Sequence, residues 1–288
     1  TEPAGALSTD AIAVLYPTAL HDVSAPVVIR LGGLPSGAND LFTAATANND
    51  VHFIVGDASV ETGTVLLCGD LSIALPGGGG RDGFVVAVDD RTAAPLWMAT
   101  LGGLEGHDDS LTAVATDDLL VAMAGTASGA APQHGGSVTF AGNIAQRQLA
   151  VVYVSSTDGD ELWARGFGTV ATDGVADTTA VAVAPRTDDN LQGVVLAGSF
   201  EGGALAVGET LLEPPAGSTG RTAFVVYMSA ADGLVLWATR CTTGAATSSD
   251  YSIVTAVMAS ADAVAVGGAF LHAKTGSATW AAEGQSPP

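Results

Sequence analysis

The chain has 288 residues, 48% of them apolar and 6% aromatic, with 9 Lys and Arg against 30 Asp and Glu and a formal net charge of −21. Binding a phosphate chain or an anionic membrane surface needs cationic counter-charge, so this balance excludes nucleic acid as a partner. No run approaches 18 consecutive apolar residues, so membrane insertion is not expected either.

In chain order, Ile12-Ala-Val-Leu-Tyr16 and Val27-Val-Ile-Arg30 read as two short strands. A longer phrase then begins with Thr43-Ala-Ala, a polar turn at Asn48-Asn-Asp50 and a second strand ending on Ile54-Val-Gly56. It continues through a short apolar segment, Leu66-Leu-Cys68, into the β-branched run Phe84-Val-Val-Ala-Val and closes on Leu96-Trp-Met-Ala. A second copy runs Thr112-Ala-Val-Ala, Met123-Ala-Gly125, Val138-Thr-Phe140, Leu149-Ala-Val-Val-Tyr-Val, Asp158-Gly159 and Leu162-Trp-Ala-Arg. A third runs Thr179-Ala-Val-Ala-Val, Leu196-Ala-Gly198, Ala204-Leu-Ala-Val207, Phe224-Val-Val-Tyr-Met, Asp232-Gly233 and Leu236-Trp-Ala-Thr. The fourth opens with Thr255-Ala-Val-Met and Val266-Gly-Gly268 and ends after Ala278-Thr-Trp280. Asn and Asp tolerate the left-handed backbone that hairpin turns require, and Asp-Gly is a strong hairpin signal. The glycine at one fixed strand position marks a bulge or the close approach of a neighbouring backbone.

The intervals Thr43 to Thr112, Thr112 to Thr179 and Thr179 to Thr255 are 69, 67 and 76 residues. Joining the chain ends completes the fourth copy with an interval of the same size, because the strands at Ile12 and Val27 supply the pair that it lacks. The expectation is an all-β, single-domain β-propeller over residues 1–288 with four blades of about 70 residues. Its repeats span 40–108, 109–176, 177–249 and 250–288, the last completed by 1–39, and the strands near Ile12 and Trp280 share one blade so that no sheet edge stays open.

Thr-Ala-Val, Leu196-Ala-Gly-Ser-Phe200, Phe224-Val-Val and Asp232-Gly-Leu-Val-Leu-Trp237 together resemble the SBBP-type β-propeller repeats. Those repeats occur in large secreted and surface proteins of myxobacteria and related bacteria, and the resemblance covers nearly the whole chain. It implies the propeller fold and an extracellular setting, and carries no activity. The segment Val88-Asp-Asp-Arg-Thr-Ala-Ala-Pro-Leu-Trp97 is also similar to quinoprotein-type propeller repeats. The long insert before the third strand and the blade number depart from that second family, against a bound quinone.

Asp40, Asp109, Asp177 and Asp250 recur near the start of each copy and are candidates for anchoring the following loop or for ringing one mouth of a channel. Acidic pairs such as Asp188-Asp189 could hold calcium through carboxylate oxygens, but none follows a twelve-residue calcium loop, and turn roles are expected instead. Otherwise no cofactor is expected. The histidines, His21, His52, His107, His134 and His272, show no metal-ligand spacing. Trp97, Trp163 and Trp237 recur in phase, fitting packing between blades or, alternatively, stacking on one sugar per blade. No Gly-x-Ser-x-Gly elbow is present. Gly77-Gly-Gly-Gly80 precedes a strand, where a phosphate-cradling loop would open a helix. Cys68 and Cys241 fall in different repeats and are expected as two free thiols.

These readings converge on a secreted, non-enzymatic propeller at the cell surface, serving as an interaction or structural module with protein partners or self-assembly. A carbohydrate-binding propeller is the alternative, and a hydrolase, lyase or quinoprotein-like enzyme ranks below both.

Overall fold

A computed structural model describes residues 11–15, 27–34, 40–48, 50–60, 65–68, 70–74, 80–102, 108–117, 119–128, 133–134, 136–137, 139–141, 148–171, 174–184, 192–216, 218–243, 251–260, 263–271 and 280–283. Those residues form strands and turns only, and no helix among them is long and apolar enough to cross a membrane. The chain is all-β, as expected, and built of several antiparallel sheets.

Along the chain, β1 (Ala11–Leu15) and β2 (Val27–Leu34) come first. The first unit holds β3 (Asp40–Ala47), β4 (Val51–Val60), the short β5 (Val65–Cys68) and β6 (Leu71–Ala74), then β7 (Gly80–Asp89) and β8 (Pro95–Leu101). The second holds β9 (Ser110–Thr116), β10 (Leu120–Ala127), β11 (Gln133–His134), β12 (Gly136–Ser137), β13 (Thr139–Ala141), β14 (Gln148–Ser155) and β15 (Glu161–Thr169). The third holds β16 (Val175–Ala184), β17 (Gly193–Glu201), β18 (Leu205–Val207), β19 (Thr210–Leu212), β20 (Thr222–Ser229) and β21 (Val235–Thr243). The chain closes with β22 (Tyr251–Ala259), β23 (Val264–Leu271) and β24 (Trp280–Glu283).

Three meanders share one plan: β3-β4-β7-β8, β9-β10-β14-β15 and β16-β17-β20-β21. Their first strands contact one another in succession, β3 with β9, β9 with β16, and β16 with β22. The short strands of each insert do not extend their own meander. Instead β18-β19 add to β15, β24 adds to β21, and β5-β6 add to β2, so an insert caps the outer strand of the preceding unit. The second unit's insert departs: β11 and β12 form a separate two-stranded sheet, and β13 pairs parallel to β15 of its own unit.

This rule overturns the expectation that the strands near Ile12 and Trp280 lie together. β1 sits in the sheet β1-β2-β5-β6 and β24 in β16-β17-β20-β21-β24. The Trp280 segment belongs to an insert, and inserts pair backward along the chain. β22 and β23 form a two-stranded sheet of their own.

The cores lie between consecutive units. Along β14, Leu149, Val151 and Tyr153 join the apolar cluster with the third unit, while Ala150, Val152 and Val154 join the cluster with the first. Alternate residues of a strand point to opposite faces, so a strand between two cores must be apolar throughout, which explains the unbroken Phe-Val-Val runs. Burying each Val or Leu there contributes about 1.5–3 kcal/mol. The other face of the first unit packs Ile54, Phe84 and Val86 with Cys68 and Ile73 of the β5-β6 insert. Between the third unit and the β22-β23 hairpin lie Val195, Val225, Cys241 and Val254.

The fixed threonine and the fixed glycine explain each other. Thr43, Thr112, Thr179 and Thr255 are each the extra residue of a β-bulge, at the points where the register slips opposite Gly56, Gly125, Gly198 and Gly268. The bulge turns a carbonyl of the first strand onto the glycine. A Cβ there would overlap the carbonyl oxygen of Leu41, Ser110, Asp177 or Ile253. Only glycine leaves room for that oxygen.

Candidate functional site

The bulged threonine redirects its own hydroxyl as well. Thr43 Oγ1 donates to the carbonyl of Leu111 at 2.5 Å and Thr112 Oγ1 to that of Thr178 at 2.9 Å, while Thr179 Oγ1 donates to that of Val254. Each acceptor is the residue immediately before the bulged threonine of the following unit. The alternative acceptor in the same sheet is farther for the first two, Val55 at 3.1 Å and Ala124 at 3.4 Å, and lies at 3.5 Å (Ala197) for the third. A hydroxyl carries one proton, so these side chains latch one unit to the next.

A second latch joins the fourth strand of a unit to the hairpin turn of the next. Trp97 Nε1 donates to the Ser156 carbonyl at 3.0 Å, and Trp163 Nε1 donates to the Ala230 carbonyl at 2.7 Å. Both acceptors lie in the hairpin turn of the next unit. Gly159 and Gly233 in those turns have φ of +76° and +69°, and a Cβ on either would stand 2.7 Å from Cε3 of Trp97 or Trp163. The glycine of the Asp-Gly pair is therefore needed twice, for the turn and for the indole lying on it. In the first unit the same turn position is Ala93 with φ +52°, and the corresponding place in β2 is Val27 where later units have Trp.

Trp97 and Trp163 are 8% and 5% exposed, with rings against the neighbouring turn and against Phe53 and Tyr153. This corrects the sugar-stacking alternative for those two, because a ring already covered by protein offers no open face to a sugar. Trp237 is half-buried and stacked on Tyr227 with ring centroids 5.7 Å apart. The residue before each Trp does the reverse. Leu96, Leu162 and Leu236 are skipped by the pairing register and stand 44%, 52% and 48% exposed. In the first two units one Leu-Trp pair thus supplies a solvent-facing apolar side chain and a buried clamp, and in the third the Leu is exposed in the same way.

The aspartates do not form one ring of equivalent positions. Asp40 and Asp109 lie three residues before the bulged Thr, where the later units have Ala176 and Ser252. Asp177 is two residues before its Thr, and Asp250 lies outside the described residues. Asp109 is fully buried; its Oδ1 accepts the Ser128 N–H at 2.7 Å, and its own N–H donates to the Arg81 carbonyl at 2.6 Å. Ser252 repeats this, its N–H donating to the Arg221 carbonyl at 2.8 Å and its hydroxyl oxygen accepting the Ala223 N–H at 2.8 Å. Asp40 is buried at the start of β3. Asp177 faces Arg221 at 3.0 Å, and Arg221 also reaches Glu201 at 3.6 Å.

Two arginines were not legible as site residues. Arg81 donates from Nε to the buried Asp57 at 2.7 Å, and Arg221 holds the corresponding edge of the third unit. The usable signal was their constant offset, three residues ahead of Phe84 and of Phe224. Among the described residues, no group of three His, Cys, Asp or Glu side chains stands close enough to hold a metal ion. His52 makes a surface pair with Asp90 at 2.5 Å, while His21, His107 and His272 lie outside the described residues. Cys68 and Cys241 are both free and buried. No protein-family model matches the chain, and no curated protein is similar enough to count as a relative.

Proposed function

We propose that the chain is a secreted, non-enzymatic module of four propeller-type blades that works as a structural and protein-interaction element of an extracellular or cell-surface assembly. The observation that carries this reading is how the repeated side chains are used. Thr43, Thr112 and Thr179, with Trp97 and Trp163, tie each unit to the next, while Leu96, Leu162 and Leu236 present one apolar side chain per unit to solvent. Catalysis needs ionisable groups converging on a substrate, whereas these periodic residues do mechanical work and leave a periodic apolar surface suited to a protein partner. The net charge of −21 keeps the rest of the surface solvated and directs contacts to such apolar positions.

The test is carboxylate-directed cross-linking of the protein in its native extracellular fraction, read by mass spectrometry, with the L96S/L162S/L236S variant alongside. Recurrent links to one protein species, lost in the variant, are expected. Uncross-linked monomer in native material would overturn the reading.

A further inference from the structure

The two ends of the array are half-units that complement each other. In the three meanders the second strand pairs on its outer edge with the third: β4 with β7, β10 with β14, β17 with β20. Among the described residues no strand pairs with the outer edge of β23, and none with the outer edge of β1. β22-β23 is a first and second strand without a third and fourth, while β1-β2 is a third and fourth without a first and second. β1 packs on β3 as β7 packs on β9, β14 on β16 and β20 on β22, which fixes its place as the third strand of a unit preceding the first. Val27 in β2 and Ala93 in the next turn stand at the two positions where the later units have Trp and Gly, which agrees with that place.

Burial points to a missing cover on β23. Residues Val121–Ala127 of β10 and Val194–Phe200 of β17 are buried throughout, whereas in β23 only Val264 and Val266 are half-buried and Ala265 and Gly267–Ala269 are exposed. Yet Val264-Ala-Val-Gly-Gly-Ala-Phe-Leu271 carries no charge, and neither does Ala11-Ile-Ala-Val-Leu15. Open edges are normally blunted by charged residues or Pro, so neither strand is composed to stay unpaired. Among the described residues the Thr255 hydroxyl reaches only its own-sheet acceptor, the Gly267 carbonyl at 3.4 Å, whereas the three earlier threonines each also reach the next unit.

We infer that the hairpin β1-β2 of a second copy adds to the edge of β23, so that copies join head to tail through a blade built from two chains. This rests on the structural-module reading and names its partner. The hairpin is held at the first unit by β3 and by the β5-β6 insert, at the opposite end of the succession from β22-β23, which packs on β16, β17 and β20. In this structure β1-β2 and β22-β23 lie in separate sheets, which leaves the edge of β23 open to the hairpin of another molecule. The register follows from the other units, where Gly56 faces Phe84, Gly125 faces Ala150 and Gly198 faces Phe224. It places Gly268 opposite Ile12 and Val266 opposite Val14 of the second copy, and lets Thr255 donate to the second copy's Phe42 carbonyl. Such a heterologous join propagates into a chain of copies or closes into a ring.

The test mixes Val14→Cys protein with Val266→Cys protein under mild oxidation and compares the V14C/V266C double variant, while light scattering follows the unmodified chain over concentration. Expected are a disulfide-linked species of two chains in the mixture, a ladder of linked chains in the double variant, and a native mass that rises with concentration. Thr255→Val should weaken that association about tenfold. A double variant that cross-links only within a monomer, a mixture without linked pairs, or an unmodified chain monomeric at every concentration would overturn the inference. Recurrent cross-links to a different protein in native material, with no self-association, would remove this inference and leave the structural-module reading standing.

Discussion

Trp163 and Ala230 lie 67 residues apart, and the indole N–H of one donates to the carbonyl of the other at 2.7 Å across the boundary between the second and third units. The same bond joins Trp97 to Ser156 one unit earlier. A Trp followed one unit later by an Asp-Gly turn is thus one device spread over two repeats: the glycine makes the turn, and its bare Cα admits the indole.

Trp163→Phe keeps most of the apolar contact and removes the donor, leaving a carbonyl at a buried boundary without its partner. The expected loss of stability is about 1–3 kcal/mol. Trp163→Ala also opens a cavity and should lose about 3–5 kcal/mol. Urea unfolding midpoints read both. A Phe variant as stable as the parent would show that the bond contributes nothing.

Glycines at neighbouring positions should behave oppositely. In Gly198→Ala the new methyl would overlap the backbone oxygen of Asp177, which can move only if the bulge at Thr179 is undone. A loss of about 2–4 kcal/mol is expected, with the latch to Val254 weakened in step. In Gly267→Ala the methyl meets nothing nearer than the Ala256 Cβ at 4.0 Å. There the reduced freedom of the unfolded chain should leave stability unchanged or raise it by about 0.4–1 kcal/mol. Calorimetric melting of the two variants side by side separates a glycine required by the bulge from one that is not.

Much of this architecture was legible from period alone. Thr, Gly, Phe-Val-Val and Trp recur at spacings that place four kinds of strand, and the bulge expected from the fixed glycine is where Gly56, Gly125, Gly198 and Gly268 stand. The inserts were not legible, because Val65–Cys68 and Trp280–Glu283 are too short to announce their partners. Pairing across units is set by which sheet edge lies nearest, which periodicity does not encode. That is why the Trp280 segment was expected beside Ile12 and is found on β21. Asp40, Asp109 and Asp177 looked equivalent because acidic residues crowd the loops between repeats. Counted from the bulged threonine, Asp177 stands one residue nearer than Asp40 and Asp109, and on a strand one residue changes the face.

Acid should act through the hairpin turns. Asp89 is held below its ordinary 3.8 first by the Thr92 hydroxyl, Asp158 by the Ser155 hydroxyl and Asp232 by the Leu234 N–H. A carboxyl whose folded value lies below its unfolded value stabilises above the unfolded value, and that contribution is lost as pH falls through about 4 and below. The D89N/D158N/D232N variant accepts the same bonds without titrating. Its melting temperature should therefore drop less than the parent's between pH 7 and pH 3, and an equal drop would mean that these turns take no part in acid unfolding.

Alkali should act through the buried thiols. Burial raises Cys241 to about 11 from an ordinary 9.0 and pushes Cys68 upward as well. At pH 8 the thiolate fraction of a group near 11 is roughly a hundredfold smaller than that of a group near 9, so Cys241 should react with a disulfide reagent at least that much more slowly in the folded protein than in urea. The linkage has a definite sign. Between about pH 9 and 11 the unfolded chain releases a proton that folded Cys241 keeps, so its contribution is whole below about pH 9 and declines as pH rises through that window. Tyr153 is raised by burial too, so the decline should steepen above about pH 10, where an unfolded tyrosine ionises. Cys241→Ala removes that residue's share of the decline and leaves those of Cys68 and Tyr153. Unfolding midpoints of parent and variant at pH 8, 9 and 10 should therefore converge as pH rises, and parallel curves would place Cys241 in contact with water.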